Sequence, residues 1–229
     1  MRKNGSREIS FSQYRTTDLF LFAVIVAVAE LFAFAATVWF PEEAIFSFSF
    51  MLPLALTVMM RWGWPSVFYA VGSGLIYCAL HSCSWQYFLA WSVGNASIIV
   101  VLAYLIPIGK ERVAKSWLLS LGIVLIAWAA MVLVRSAVFA AATGAGYVQA
   151  LAYFCGISTD SGLLTLVMGM LSVIVIRRFD GLFEDQKAYL VRIGKMREEQ
   201  RRRDIFGEEL AEIDEEQLSI LNNDDGELY

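Results

Sequence analysis

Six long apolar stretches separated by short polar connections dominate this chain, at residues 19–40, 44–60, 64–80, 87–106, 117–142 and 161–176. A helix needs ~20 mostly apolar residues to cross the hydrocarbon core at ~1.5 Å per residue. The shorter stretches reach that length by recruiting flanking aromatic residues such as Trp62, Trp85 and Phe179. The pattern predicts an all-α integral membrane protein. A six-transmembrane-helix bundle spans residues 19–178, with a short segment 1–18 before it and a charged segment 179–229 after it.

The connections alternate in charge. Arg2, Lys3, Arg7 and Arg15 precede the first stretch, Arg61 lies between the second and third, Lys110, Arg112 and Lys115 between the fourth and fifth, and Arg177 and Arg178 follow the sixth. The intervening connections, Pro41-Glu42-Glu43, His81-Ser82-Cys83-Ser84 and Thr143-Gly144-Ala145-Gly146, contain no Lys or Arg. Under the positive-inside rule both termini are cytoplasmic, and the expected location is the plasma membrane. A basic start followed by an apolar run and Ala33-Phe34-Ala35 imitates a signal peptide. The run continues to Trp39-Phe40, however, so the first helix is expected to be retained.

Beyond Arg178 the character changes. Phe183, Lys187, Leu190, Ile193 and Met196 recur at three- and four-residue steps, which predicts a cytoplasmic helix over 179–203. Lys195, Arg197, Arg201, Arg202 and Arg203 form a basic block, and 204–229 is acidic with no Lys or Arg. Such a tail either docks on a partner or the anionic leaflet or is a solvated, self-neutralising extension.

Composition agrees with lipid as the solvent. With 58% hydrophobic residues and a mean hydropathy of +0.59, a chain of 229 residues carries more apolar surface than one water-soluble core absorbs. The formal net charge of -4 reflects the acidic tail. Cys78, Cys83 and Cys155 form no CxxC pair and no metal spacing. Cys83 and Cys155 fall on the same expected side, which leaves open a disulfide or simple thiols.

Ionisable and amide groups inside apolar stretches are costly and therefore informative, at ~2.5 kcal/mol or more for a charge at a helix centre. Glu30 lies midway through the first stretch, Asn95 near the middle of the fourth, Arg135 in the outer third of the fifth, and Asp160 in Ser158-Thr159-Asp160-Ser161. Ser158, Thr159 and Asp160 are good N-cap residues, so the last helix is expected to start there. Residues 147–156 then become an apolar, aromatic segment able to fold over the bundle as a lid. One reading is an outward-facing pocket in which Arg135 holds an anionic group, Asp160 and Asn95 supply hydrogen bonds, and Trp91 and Tyr153, with Trp39, Trp85 and Tyr147, form stacking walls. The other is that Arg135 and Asp160 pair with each other, with Asp160 capping its helix. Glu30 reads as structural or as a relay.

Other chemistry has little support. His81 and Cys83 on one loop are too few for a metal site, and no metal or cofactor is expected. There is no HExxH, GxSxG or Walker A run, and the single His restricts acid–base chemistry, so the chain is not expected to be an enzyme. Nucleic-acid binding is not expected, because the basic block is balanced by acids.

Arg15-Thr16-Thr17-Asp18-Leu19-Phe20 leading into Ala23-Val24-Ile25-Val26-Ala27 resembles the start of the substrate-binding S component of energy-coupling factor (ECF) transporters. Phe46-Ser47-Phe48-Ser49-Phe50-Met51-Leu52-Pro53-Leu54 and Val71-Gly72-Ser73-Gly74-Leu75 are similar to the family's second and third helices. The resemblance covers residues 15 to about 178. It implies that Ala23 and Ala27, matching an Ala-x-x-x-Ala motif, pack on a transmembrane T subunit, and small residues four apart do permit close helix approach. Ala29 and Ala33 fit the same spacing. The resemblance further implies a high-affinity binder of a small micronutrient, a vitamin or precursor, working with the T subunit and two ATPase subunits that hydrolyse ATP. The charged tail departs from the family pattern. Two alternatives stand beside it: a membrane scaffold or sensor signalling through its cytoplasmic C-terminal helix, and an integral-membrane enzyme using Glu30, His81 or Asp160.

Overall fold

The computed structural model describes residues 10–40, 49–156 and 162–202. Every regular element among them is helical. The first helix, α1, runs Phe11–Trp39. It starts well before the apolar stretch because Ser10 and Gln13 form a reciprocal capping box, with Gln13 N donating to Ser10 Oγ (3.2 Å) and Ser10 N donating to Gln13 Oε1 (3.1 Å). After α2 (Met51–Trp62), Gly63 at φ 78° turns the chain, a left-handed conformation that favours glycine, into α3 (Ser66–Leu80). Next come α4 (Trp85–Ala96), a 3-10 turn at Ser97–Ile99, and α5 (Val100–Ile108), which together form one helical rod. A short α6 (Lys110–Lys115) leads to α7 (Trp117–Thr143), which is capped by Ser116 and stopped by Gly144 at φ 74°. The bundle is completed by α8 (Tyr147–Cys155) and α9 (Leu163–Ile176).

Among the described residues, three helical segments are long and apolar enough to cross a membrane: α1 with 29 residues, the α4–α5 rod with 24 and α7 with 27. At ~1.5 Å per residue they extend ~36 to 44 Å, more than the ~30 Å hydrocarbon core. The remaining apolar helices α2, α3 and α9 are shorter, at 12, 15 and 14 residues. Large side chains such as Phe20 (70% exposed), Ile106 (81%) and Leu118 (62%) project from the long helices. Contiguous apolar surface of this kind is stable against lipid rather than water. The chain is a membrane protein.

The expected segments need several corrections. The second apolar stretch is helical from Met51, and residues 41–48 lie outside the described residues. The sixth helix begins at Leu163 with Gly162 at its N-cap, and the expected caps Ser158, Thr159 and Asp160 lie outside the described residues. The segment expected to serve as a lid is helical over Tyr147–Cys155.

The short α2 is apolar around its whole circumference, the mark of a helix surrounded by protein. Leu52, Leu56, Met59 and Met60 are fully buried against Ile98 and Val101 of the α4–α5 rod, Ile123, Val124 and Ala127 of α7, and Val173 of α9. Gly169 lets α9 approach this centre, since a Cβ there would come within 2.9 Å of Leu52 Cδ2 and 3.3 Å of Val124 Cγ1.

At the basic end, polar bonds fasten the helices. Arg61 donates from Nη2 to Asp18 Oδ1 (2.6 Å), from Nε to Asp18 Oδ2 (3.0 Å) and from Nη1 to the Gly181 carbonyl (2.6 Å). Trp62 Nε1 donates to Asp18 Oδ2 as well (2.5 Å). Arg177 donates to the Ala114 carbonyl, and Lys110 pairs with Asp185 at 2.8 Å.

The chain divides into two compact units, Met1–Asp185 and Gln186–Tyr229, so the break falls after Asp185 rather than after Arg178. The expected helix over 179–203 is also corrected. Gly181 at φ 74° interrupts it, and the helix occupies residues 186–202 of the second unit. Phe183, assigned from periodicity to the face of that helix, belongs to the bundle core at 3% exposure. Leu210, Ile213 and the acidic tail lie outside the described residues.

Replacing Phe183 by Ala is therefore expected to destabilise the bundle by about 3–5 kcal/mol, as for a core aromatic. Val191→Ala at an exposed tail position is expected to stay within about 0.5 kcal/mol. Thermal unfolding of both variants in detergent checks this, and equal effects would return Phe183 to the tail.

Candidate functional site

The buried face of α7 is set by positions at helical spacing, Ile123, Val124, Ala127, Met131, Val132 and Arg135. The last of these directs a guanidinium into the apolar interior, where Arg135 is 2% exposed. Space for it comes from α4. A Cβ at Gly94 would overlap the Arg135 side chain and lie 3.1 Å from its Cα, so only glycine admits this crossing.

The neighbouring residue provides the acceptor. Asn95 Oδ1 receives hydrogen bonds from Arg135 Nε (2.9 Å) and from Nη2. Asn95 is held in turn by α3, its Nδ2 donating to the Ala70 carbonyl at 2.8 Å. Gly74 of α3 leaves room for the amide, because a Cβ there would sit 2.5 Å from Asn95 Nδ2. This bonding pattern also settles the amide orientation, since only the oxygen can accept from a guanidinium.

One turn before Asn95, Trp91 covers the cation, with Arg135 Cζ 3.9 Å from the ring centroid. The electron-rich face of an indole is the best aromatic partner for a cation. Trp91 is stacked on Tyr77 (4.4 Å, 20°), Tyr77 lies 4.3 Å from the His81 ring, and His81 meets Phe34 edge-on at 5.2 Å. A continuous aromatic ladder thus connects the buried cation to the loop that begins at His81.

The second buried charge stands on α1. Glu30 is 2% exposed, and its Oε1 accepts from Ser49 Oγ and Ser73 Oγ, both at 2.6 Å. Its Oε2 has no hydrogen-bond partner among the described residues. Glu30 and Arg135 act on each other electrostatically. Among the described residues, the Glu30 carboxyl and the Arg135 guanidinium are thus met by separate neutral groups.

The structure brings together three of the residues singled out from the sequence, Arg135, Asn95 and Trp91. Tyr153 sits elsewhere. It belongs to a cluster in which Tyr87 Oη donates to Tyr153 Oη (2.9 Å) while Tyr153 stacks on Phe139 (6.1 Å, 10°). With Phe154, 1% exposed, this cluster fastens α8 to α7. Asp160 lies outside the described residues, so its pairing with Arg135 does too. Trp39 and Trp85 are exposed (72% and 59%) and line no interior wall. Ala23 is exposed and Ala27 half-buried on α1, whereas Ala33 is buried. No disulfide joins Cys83 to Cys155. No group of three or more His, Cys, Asp or Glu capable of holding a metal occurs among the described residues.

Sequence reading passed over Gly94, Gly74, Ser73, Tyr77 and His81 as parts of this site. The signal available for them was the density of small and polar residues facing Asn95 and Glu30. The chain matches no protein-family model, no curated protein and no solved structure.

The clamp makes an asymmetric prediction. Asn95→Ala strands a buried cation and is expected to cost about 3–5 kcal/mol. Arg135→Met removes the charge together with its solvation requirement and is expected to cost about 1–3 kcal/mol for the amide left unpaired. The double variant Asn95→Ala/Arg135→Met should be more stable than Asn95→Ala alone. Thermal unfolding in detergent measures all three, and the reverse order would show that Asn95 does not solvate the guanidinium.

Proposed function

We propose that the chain is the substrate-binding S component of an ECF-type importer in the plasma membrane. In this reading six helices cross the bilayer, both termini are cytoplasmic, and α8 flanks the outer mouth of the site. The ligand is a small micronutrient with a carboxylate or phosphate group. A transmembrane T subunit contacts α1 through Ala23 and Ala27, and two ATPase subunits supply the energy. The chain itself is not an enzyme.

The observation that carries this reading is the buried Arg135 capped by Trp91. Keeping a guanidinium in an apolar bundle costs several kcal/mol, and among the described residues its direct partners are a neutral amide and an aromatic face. A guanidinium offers more donors than one amide oxygen consumes, so donors remain for an anionic group. The aromatic ladder of Trp91, Tyr77 and His81 supports entry of a planar ligand from the His81 loop.

A second reading is favoured by the basic end. Arg61 ties Asp18 of α1 to the Gly181 carbonyl, and Phe183 is packed in the core, so the segment leading to residue 186 is locked to the bundle. That arrangement suits a sensor with the C-terminal unit as its output.

Small-molecule extraction of the purified protein is expected to yield an anionic compound of vitamin size. Arg135→Gln should lose that compound far more than it loses folded protein, and equal losses would make Arg135 purely structural. Co-purification of a T subunit and ATPases, abolished by Ala23→Leu/Ala27→Leu, is expected of the importer. If no such subunits co-purify and deletion of 186–229 abolishes function, the sensor reading stands instead.

A further inference from the structure

A second feature lies on the outside of the bundle, between α1 and α3. The two helices bound an open groove of about 490 Å³. Its walls are side chains at helical spacing, Leu19 and Ala23 on one side and Phe68, Gly72 and Ile76 on the other, with Arg15 at one end. From Arg15 to Val26, the deepest α1 residue of the wall, the helix rises ~16 Å. The result is a long apolar trough with a cation at its mouth.

Two observations show that this trough is left open by the fold. A Cβ at Gly72 would meet nothing within 4 Å, in contrast to Gly74 two residues on, whose Cβ would strike Asn95. The Tyr69 hydroxyl in the wall is also satisfied internally, donating to the Leu19 carbonyl at 2.6 Å.

Among the described residues no acid is left to match the charge at the mouth. Arg15 lies over the Trp62 ring at 5.8 Å and is half-buried. Asp18, the acid one turn further along α1, is consumed by Arg61 and Trp62 through both oxygens. Among the described residues Arg15 has no carboxylate partner.

We propose that this groove binds an anionic phospholipid, with one acyl chain along the trough and the phosphate on Arg15. Charge complementarity selects that occupant. A guanidinium with unused donors is a strong partner for a phosphate oxygen pair. An apolar trough leading straight from that cation into the hydrocarbon region fits a molecule with one charged head and a flexible tail. This inference does not rest on the transport reading, and it competes with the part of that reading that seats a partner helix on Ala23, because a partner helix seated in the groove would exclude the lipid.

The test uses the full chain in nanodiscs of phosphatidylcholine with a minor fraction of phosphatidylglycerol, released into native mass spectrometry. One phosphatidylglycerol is expected to remain on each chain. Arg15→Gln should lower its retention about fivefold, the worth of one basic residue at a membrane surface, and Arg15→Lys should restore most of it. Gly72→Trp fills the trough from α3 and should abolish retention with unchanged thermal unfolding. Equal retention of phosphatidylglycerol and phosphatidylcholine, or retention unaffected by Arg15→Gln, overturns the proposal. So does a co-purified protein subunit that occupies the groove with no lipid bound. If Gly72→Trp proves unstable, the Arg15→Gln result decides, because that side chain contributes no core packing.

Discussion

A charge in an apolar bundle must be solvated by the protein that surrounds it, and Arg135 imposes that requirement on the helices around it. Its guanidinium draws Asn95 from α4, which in turn grips the Ala70 carbonyl of α3. Trp91 closes over the cation, and Tyr77 and His81 continue the stack toward the loop. Glycines at 94 and 74 exist in the structure to let these groups meet, since any side chain there would displace Arg135 or Asn95. The close approach of α3, α4 and α7 at these glycines is thus organised around a buried cation.

The opposite end obeys a different economy. There the bonds of Arg61 to Asp18 and Gly181 lie near the ends of helices and fasten backbone as well as side chains. They also consume the acid that would otherwise neutralise Arg15. Neutralising one arginine leaves the other available, so the same aspartate that ties α1 to α2 creates a cationic mouth on the α1–α3 groove. Among the described residues, the bundle therefore holds a buried cation against an amide and an indole, and presents another at its edge beside an open trough.

Much of the architecture was legible because lipid enforces a simple rule: backbone polar groups must be satisfied within each segment, so apolar runs become helices. The boundaries of α7 and α3 follow the apolar stretches within a residue or two. α1 extends earlier because a capping box outweighs hydropathy at Ser10. Phe183 was misplaced because three- and four-residue periodicity reports a helical face but not the partner of that face. Its burial depends on Gly181 turning the chain back, which no periodicity contains. Arg135 and Asn95 were singled out by their cost in an apolar setting, whereas Trp91 and Tyr153 were drawn in only by aromatic type; Trp91 meets the guanidinium, and Tyr153 belongs to the contacts of α8.

Sequence alone determined the solvent, the helical class and the rarity of the interior polar residues, because each of these follows from local composition and from the ~1.5 Å rise of a helix through a hydrocarbon layer of fixed thickness. Tertiary structure decided which of those polar residues meet. The meeting of Asn95 with Arg135, the hydroxyl solvation of Glu30, and the opening beside Gly72 all arise from how closely α3 and α4 approach their neighbours. Those approaches are set by missing side chains at particular glycines, and a missing side chain acquires meaning only when the facing helix is in place.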